Sequence, residues 1–238
     1  MVGTTEEICD PERCSIEEAV IVARQRAREN LSYDLQIAQF VNSQWLSNTV
    51  NLRIAERGLE ILGAIASPAR LLSVLRTAMA QTDPEVRSKA AIALGKYLEN
   101  PTLIERLAMD GDPRVRANTI EALWGRAIPE AEAIFRRALI DRHHRVAANA
   151  AYGLYLIDSG KYLTAVEAFV EHSRQGHRTA AAWLIRKIGD ACLLGLLKTL
   201  VRDQNPDVRR AAFLAIGALR ASSASVPQIR CGSTAAVP

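Results

Sequence analysis

The sequence predicts an all-α fold of repeated helix pairs, and three observations carry that expectation. A short segment recurs: DPEVRSKAAIALG at 83–95 returns as DPRVRANTIEALW at 112–124 and NPDVRRAAFLAIG at 205–217. Within each copy the apolar residues fall at helical spacing, as in Val86, Ala90, Ala93 and Leu94, the stripe of a helix with one buried side. Six of the nine prolines stand where a helix should begin, most of them behind an Asp, Asn or Ser that can cap it.

Taken in order, the elements follow from these signals. Residues 1–14 are acidic and lack an apolar stripe, so they are expected to be a disordered tail. Ser15, Ile16, Glu17 and Glu18 fit a capping box that opens a first helix. A helix over 33–47, with Leu35, Ile37, Phe40, Val41 and Trp45, supplies the first member (A) of the first pair. NLRIAERGLEILG at 51–63 supplies the second member (B) and is the earliest copy of the recurring segment. Weaker copies are HHRVAANAAYGLY at 143–155 and HRTAAAWLIRKIG at 177–189. Aligned on their last residue, the six copies step by 32, 29, 31, 34 and 28 residues. Apolar stripes between the copies mark the A helices, for example Leu71, Leu72, Leu75 and Met79, or Leu193, Leu196, Leu197 and Leu200. One such pair cannot bury its apolar face alone, but stacked pairs share a continuous core. The repeat region is therefore expected to span 15–220. The Ser, Ala and Pro rich residues 221–238 are expected to be a second disordered tail.

Composition narrows the function. The net charge is +4, but residues 1–50 sum to −4 and residues 51–238 to +8. A basic body can attract an acidic protein face or nucleic acid. No stretch approaches the ~18 apolar residues of a membrane span. The N-terminus has no apolar core of a secretory signal. The expected location is the cytoplasm.

The pattern DPxVRxxAxxALG resembles the HEAT repeat, in particular the short bacterial form of phycobilisome-lyase-type HEAT-like proteins. The resemblance covers about 50–220, strongly at 83, 112 and 205. It implies a right-handed α–α superhelix of about six helix pairs, with the B helices lining the concave side. It also implies that Asp83, Arg87, Asp112, Arg116 and Arg209 form a structural ladder between adjacent turns. The other reading of these arginines is anion contact, because a guanidinium binds a carboxylate or phosphate bidentately. In the two irregular copies His143 and His177 are expected to replace the capping Asp.

If the B helices line a groove, their non-core positions are the contact surface. Counted from the residue that opens each stripe, the third position along reads Arg57, Lys89, Asn118, Asn149, Trp183 and Ala211. The sixth reads Glu60, Ile92, Glu121, Tyr152, Arg186 and Leu214. The candidate partner-binding residues are Trp183, Arg186, Tyr152, Asn149, Asn118, Glu121 and Lys89. Trp, Tyr and Arg are the commonest interface anchors. Sideways packing of Trp183 in an irregular repeat is the competing reading.

All four histidines, His143, His144, His172 and His177, fall within 35 residues. Equivalent positions in successive repeats would set His143 and His177 roughly 10 Å apart, too far to share one metal directly. The expected role is surface imidazole, with no metal. No nucleophile elbow, phosphate loop, dinucleotide fingerprint or zinc-protease motif occurs. Glu60 and Glu121 stand two repeats apart, too far for one acid–base site. The expectation is a non-enzymatic protein-binding scaffold or adaptor without a cofactor. Two alternatives stay open: a phycobilin-lyase-like chromophore attachment subunit, suggested by the resemblance, and a HEAT-like nucleic-acid-binding protein.

Overall fold

The computed structural model describes residues 4–47, 51–97 and 100–223, with the side chains at 96–97, 161–162 and 222–223 excepted. Among the described residues there is no strand. The chain divides into two compact units, Met1–Leu123 and Trp124–Pro238.

The first unit holds α1 (Thr5–Cys9), α2 (Ile16–Glu29), α3 (Tyr33–Leu46), α4 (Leu52–Ile65), α5 (Pro68–Met79), α6 (Pro84–Tyr97), α7 (Pro101–Ala108) and α8 (Pro113–Ala122). Helices α3 and α4, α5 and α6, and α7 and α8 pack as A–B pairs, and the B helices α4, α6 and α8 pack in series. The second unit holds α9 (Ala131–Ala138), α10 (His144–Ile157), α11 (Ser159–Val170), α12 (Gln175–Ile188), a 3-10 turn (Ala191–Leu193), α13 (Leu194–Val201) and α14 (Pro206–Ser223). Here the pairs are α9 and α10, α11 and α12, and α13 and α14, with α10, α12 and α14 in series. The expected six helix pairs are therefore present, three in each unit.

Capping chemistry sets the helix starts. Asn51 Oδ1 accepts from Ile54 N, Asn100 Oδ1 from Leu103 N and Asp112 Oδ1 from Arg114 N. Each satisfies a donor that the first helical turn leaves unpaired.

Two expectations are corrected. The first is the N-terminal tail. Residues 4–14 are ordered: Thr4 and Glu7 form a reciprocal capping box on α1, and Ile8 and Cys9 are fully buried. Arg57 of α4, expected on a contact surface, is instead 8% exposed and clamps this segment. Its Nε donates to Ile8 O at 2.9 Å, and its Nη2 donates to Cys14 O and Ser15 O, each at 2.7 Å. Two apolar side chains and a guanidinium that satisfies three carbonyls hold the segment down. At the other end, α14 continues to Ser223, and residues 224–238 of the expected tail lie outside the described residues.

The second correction is a register. The B helices from α8 onward begin at residues 113, 144, 175 and 206, a constant step of 31. By helix start, His177, not Ala180, stands where Val86, Val115, Val146 and Val208 stand, and all five are buried. The last-residue alignment failed because its glycines differ in kind. Gly189 ends α12 in the left-handed conformation, φ 78°, with open space around it. Gly95 lies inside α6 at a close helix approach, where an added Cβ would sit 2.1 Å from Ala122 Cβ. The N-cap equivalent to Asp112 is therefore Arg174, not His177.

Candidate functional site

The corrected register regroups the candidate residues. Six positions beyond the opening residue, the column becomes Ile92, Glu121, Tyr152, Trp183 and Leu214. Nine positions beyond it, the column reads Gly95, Trp124, Tyr155, Arg186 and Gly217. Trp124 and Tyr155 thus stand where other copies carry glycine.

In the second unit these columns converge. The Trp124 and Tyr152 rings meet edge to face, with centroids 4.8 Å apart, and Trp183 lies 6.3 Å from Trp124. Tyr155 stacks beyond Tyr152 at 6.3 Å. Lys187 Nζ sits 5.3 Å from the Trp124 ring centre and 5.5 Å from that of Tyr152, within cation–π range of both. Trp124 is fixed in place, because its Nε1 donates to Asn149 O at 2.9 Å. Burial, with the Asp190 and Tyr152 charges adding to it, raises the Tyr155 phenol above its usual value, so it stays a neutral donor. Trp183, Arg186 and Lys187 lie at i, i+3 and i+4 on one face of α12. Trp124, Tyr152, Tyr155 and Trp183 are half-buried, while Arg186 and Lys187 are exposed.

The other candidates fall elsewhere. Asn149 is 2% exposed and cannot meet a partner directly, which corrects its assignment. The reason is geometric: the third position faces between successive B helices rather than outward. Asn118 Nδ2 donates to Ser88 Oγ on α6, and Lys89 Nζ meets Glu56 on α4 at 2.8 Å. Glu121 is exposed on α8, in the first unit. Trp124, Tyr155 and Lys187 were missed as candidates. For Trp124 and Tyr155 the signal was an aromatic residue in a column that holds glycine at Gly95 and Gly217.

Arginine–aspartate rungs join neighbouring repeats, with residues that differ from the expected set. Arg87 grips Asp110 bidentately at 2.8 and 2.9 Å, and its Nη1 donates to Gln81 O and Thr82 O. Arg178 repeats the arrangement, with Asp203 at 2.6 and 3.1 Å and the carbonyls of His172 and Ser173. Arg116 and Arg209 likewise tie the two carbonyls at the A–B turn of their own repeat. The acids of the rungs are Asp110 and Asp203. Asp83 and Asp112 serve as helix caps, accepting from Glu85 N and Arg114 N. Asp110 and Asp203 are held below the usual carboxylate range by the hydrogen bond from their arginine.

Between α10 and α12 this rung is absent. Ala147 occupies the Arg position and His172 the Asp position. The four histidines collect here instead. His172 stacks on His177 at 3.9 Å, His144 meets His177 at 6.3 Å, and His143 stacks on His144 at 4.8 Å. This corrects the expected surface role of His177, which is 5% exposed because the register places it at a core position. Burial depresses the pKa of His177 and of His144, and their imidazole neighbours depress it further. A pocket of about 390 Å³ opens beside His172 and His177, lined also by Ile140, Asp141 and Phe169. Among the described residues no three His, Cys, Asp or Glu side chains stand in metal-holding geometry.

Stacked helix pairs with half-buried Arg–Asp rungs define a helical-repeat protein. The HEAT repeats family model matches residues 100–186, and the HEAT repeat model matches residues 193–219. The chain thus carries HEAT repeats, and its fold is the all-α HEAT solenoid. No curated protein matches the chain. Among the described residues no helix is long and apolar enough to cross a membrane.

Proposed function

We propose that the chain is a non-enzymatic protein-binding scaffold whose contact surface is the aromatic and cationic face of α10 and α12. One observation carries this reading. Trp124, Tyr152 and Trp183 gather at positions that repeat packing does not require to be aromatic, since the same columns hold Gly95, Glu121 and Gly217 in other copies. Half-buried aromatic side chains beside exposed cations are the usual composition of an interface anchor.

The test is cross-linked capture of the partner from the native cell, compared between the wild-type chain and Trp183→Ala. Truncating an anchor of this kind weakens binding by about 2 kcal/mol, roughly thirtyfold. Unchanged capture by Trp183→Ala and by Tyr152→Ala, with helicity intact, would remove the reading. The resemblance to phycobilisome-lyase-type repeats is addressed by titration with a free bilin. The scaffold reading expects no shift of the visible spectrum.

A further inference from the structure

We propose that the α10–α12 face takes an acidic peptide segment with an apolar or proline anchor, presented by a partner protein. This rests on the scaffold reading and adds the chemistry of the partner.

Charge decides between ligand classes. Lys187 and Arg186 stand on the same face of α12 as Trp183, and no carboxylate meets either cation among the described residues. The ammonium of Lys187 is held over the Trp124 and Tyr152 rings, not by an acid. Asp190 caps the short turn that follows α12, its Oδ1 accepting from Cys192 N at 2.8 Å, and its charge falls at the Tyr155 edge of the platform. The face therefore joins an apolar platform to two cations that no carboxylate pairs with among the described residues.

A cationic segment does not fit. The place a cation would take over the rings is filled by Lys187, and Arg186 repels a second one. A carboxylate does fit. Arg186 offers its guanidinium for a bidentate pair, and Lys187 offers an ammonium whose position the rings already fix. The half-buried Trp183 gives an adjacent ring or proline a surface to cover. Single-stranded nucleic acid would also stack on these rings. Its phosphates, however, need a continuous cationic track. Here Asp190 lies close enough to act on Tyr155 electrostatically, which sets a negative charge at the edge of the platform.

The experiment uses the full chain and the tryptophan fluorescence of Trp124 and Trp183, with Trp45 buried in the other unit. The probes are an immobilised and a free set of short peptides in which Asp and Glu flank a Pro-Phe pair. Matched sets replace the acids with Asn and Gln or with Lys, and oligothymidylate is the nucleic-acid competitor. The acidic set binds, the amide set binds about tenfold more weakly or less, and the Lys set does not bind. Arg186→Glu combined with Lys187→Glu, both exposed sites, reverses the preference toward the Lys set. Equal binding of the acidic and amide sets, no binding by any set, or displacement by oligothymidylate overturns the proposal. Capture of the native partner that survives charge reversal but not Trp183→Ala leaves the scaffold standing and removes the acidic segment. Capture that survives both removes both.

Discussion

Arg178 Nε lies 2.6 Å from Asp203 Oδ2, with side-chain exposures of only 11% and 8%. The pair joins α12 to the turn before α14, and the same guanidinium holds two carbonyls of the turn before α12. One side chain thus fixes two successive turns.

Removing one partner of that rung should cost more than removing both. Arg178→Ala or Asp203→Ala leaves a partly buried group unpaired, and each is expected to destabilise the fold by about 2 kcal/mol. Arg178→Met with Asp203→Leu should lie closer to wild type than either single change. Urea denaturation of the four proteins measures this. The pKa of Asp203 is lowered in the fold, so its contribution is complete above the ordinary carboxylate range and is lost as pH falls through the native value.

The histidine cluster should make the fold sensitive to mild acid. His144 and His177 have depressed pKa values, so the folded state binds fewer protons than the unfolded state. The resulting stability is present above the unfolded imidazole value, about 6.5, and is lost as pH falls through the lower native values. His172 and Arg174 add to the repulsion around His177, while the Asp141 carbonyl accepts its hydrogen bond and partly offsets it. His177→Val installs the residue found at Val86, Val115 and Val208. Thermal melts between neutral and mildly acidic pH should show a flatter dependence for this variant. A slope equal to that of the wild type would count against the argument.

The N-terminal clamp predicts a contrast in thiol reactivity. Burial pushes the Cys9 thiol up to about 12, while Cys14 is half-buried. At neutral pH a thiol reagent should modify Cys14 well before Cys9. Arg57→Met removes the donors to Ile8 O, Cys14 O and Ser15 O and should expose Cys9 to the reagent, with a stability loss of about 2 kcal/mol. Peptide mapping of the labelled protein reads both effects.

Two glycine substitutions should act in opposite directions. Gly95→Ala places a methyl against Ala122 and must separate α6 from α8, at a cost of about 1–3 kcal/mol. Gly217 lies within α14 and meets nothing within 4 Å of an added Cβ. Gly217→Ala should stabilise the helix by roughly 0.5–1 kcal/mol. Paired denaturation curves settle both signs.

Much of the fold was legible locally. The caps at Asn100 and Asp112, the helical stripes and the six pairs all follow from residues a few positions apart. The candidate site was only half legible. Tyr152, Trp183 and Arg186 were picked out by residue type, but Trp124, Tyr155 and Lys187 were not. Asn149 looked like a contact residue because periodicity cannot tell a position facing the next B helix from one facing solvent.

By itself, the sequence determined the all-α repeat, the helix starts at Pro68, Pro84, Pro101, Pro113 and Pro206 and the two irregular copies, because hydrophobic period and capping act within one helix. Only the tertiary structure decided the rest. It placed His177 in the core, gave the rungs to Asp110 and Asp203, pinned Ile8 beneath Arg57 and brought Trp124 to Tyr152 and Trp183. Those relations depend on how far apart neighbouring helices pack and on the turn at which each begins. A three-residue shift in α12 changes every partner along it while leaving its own helical pattern intact.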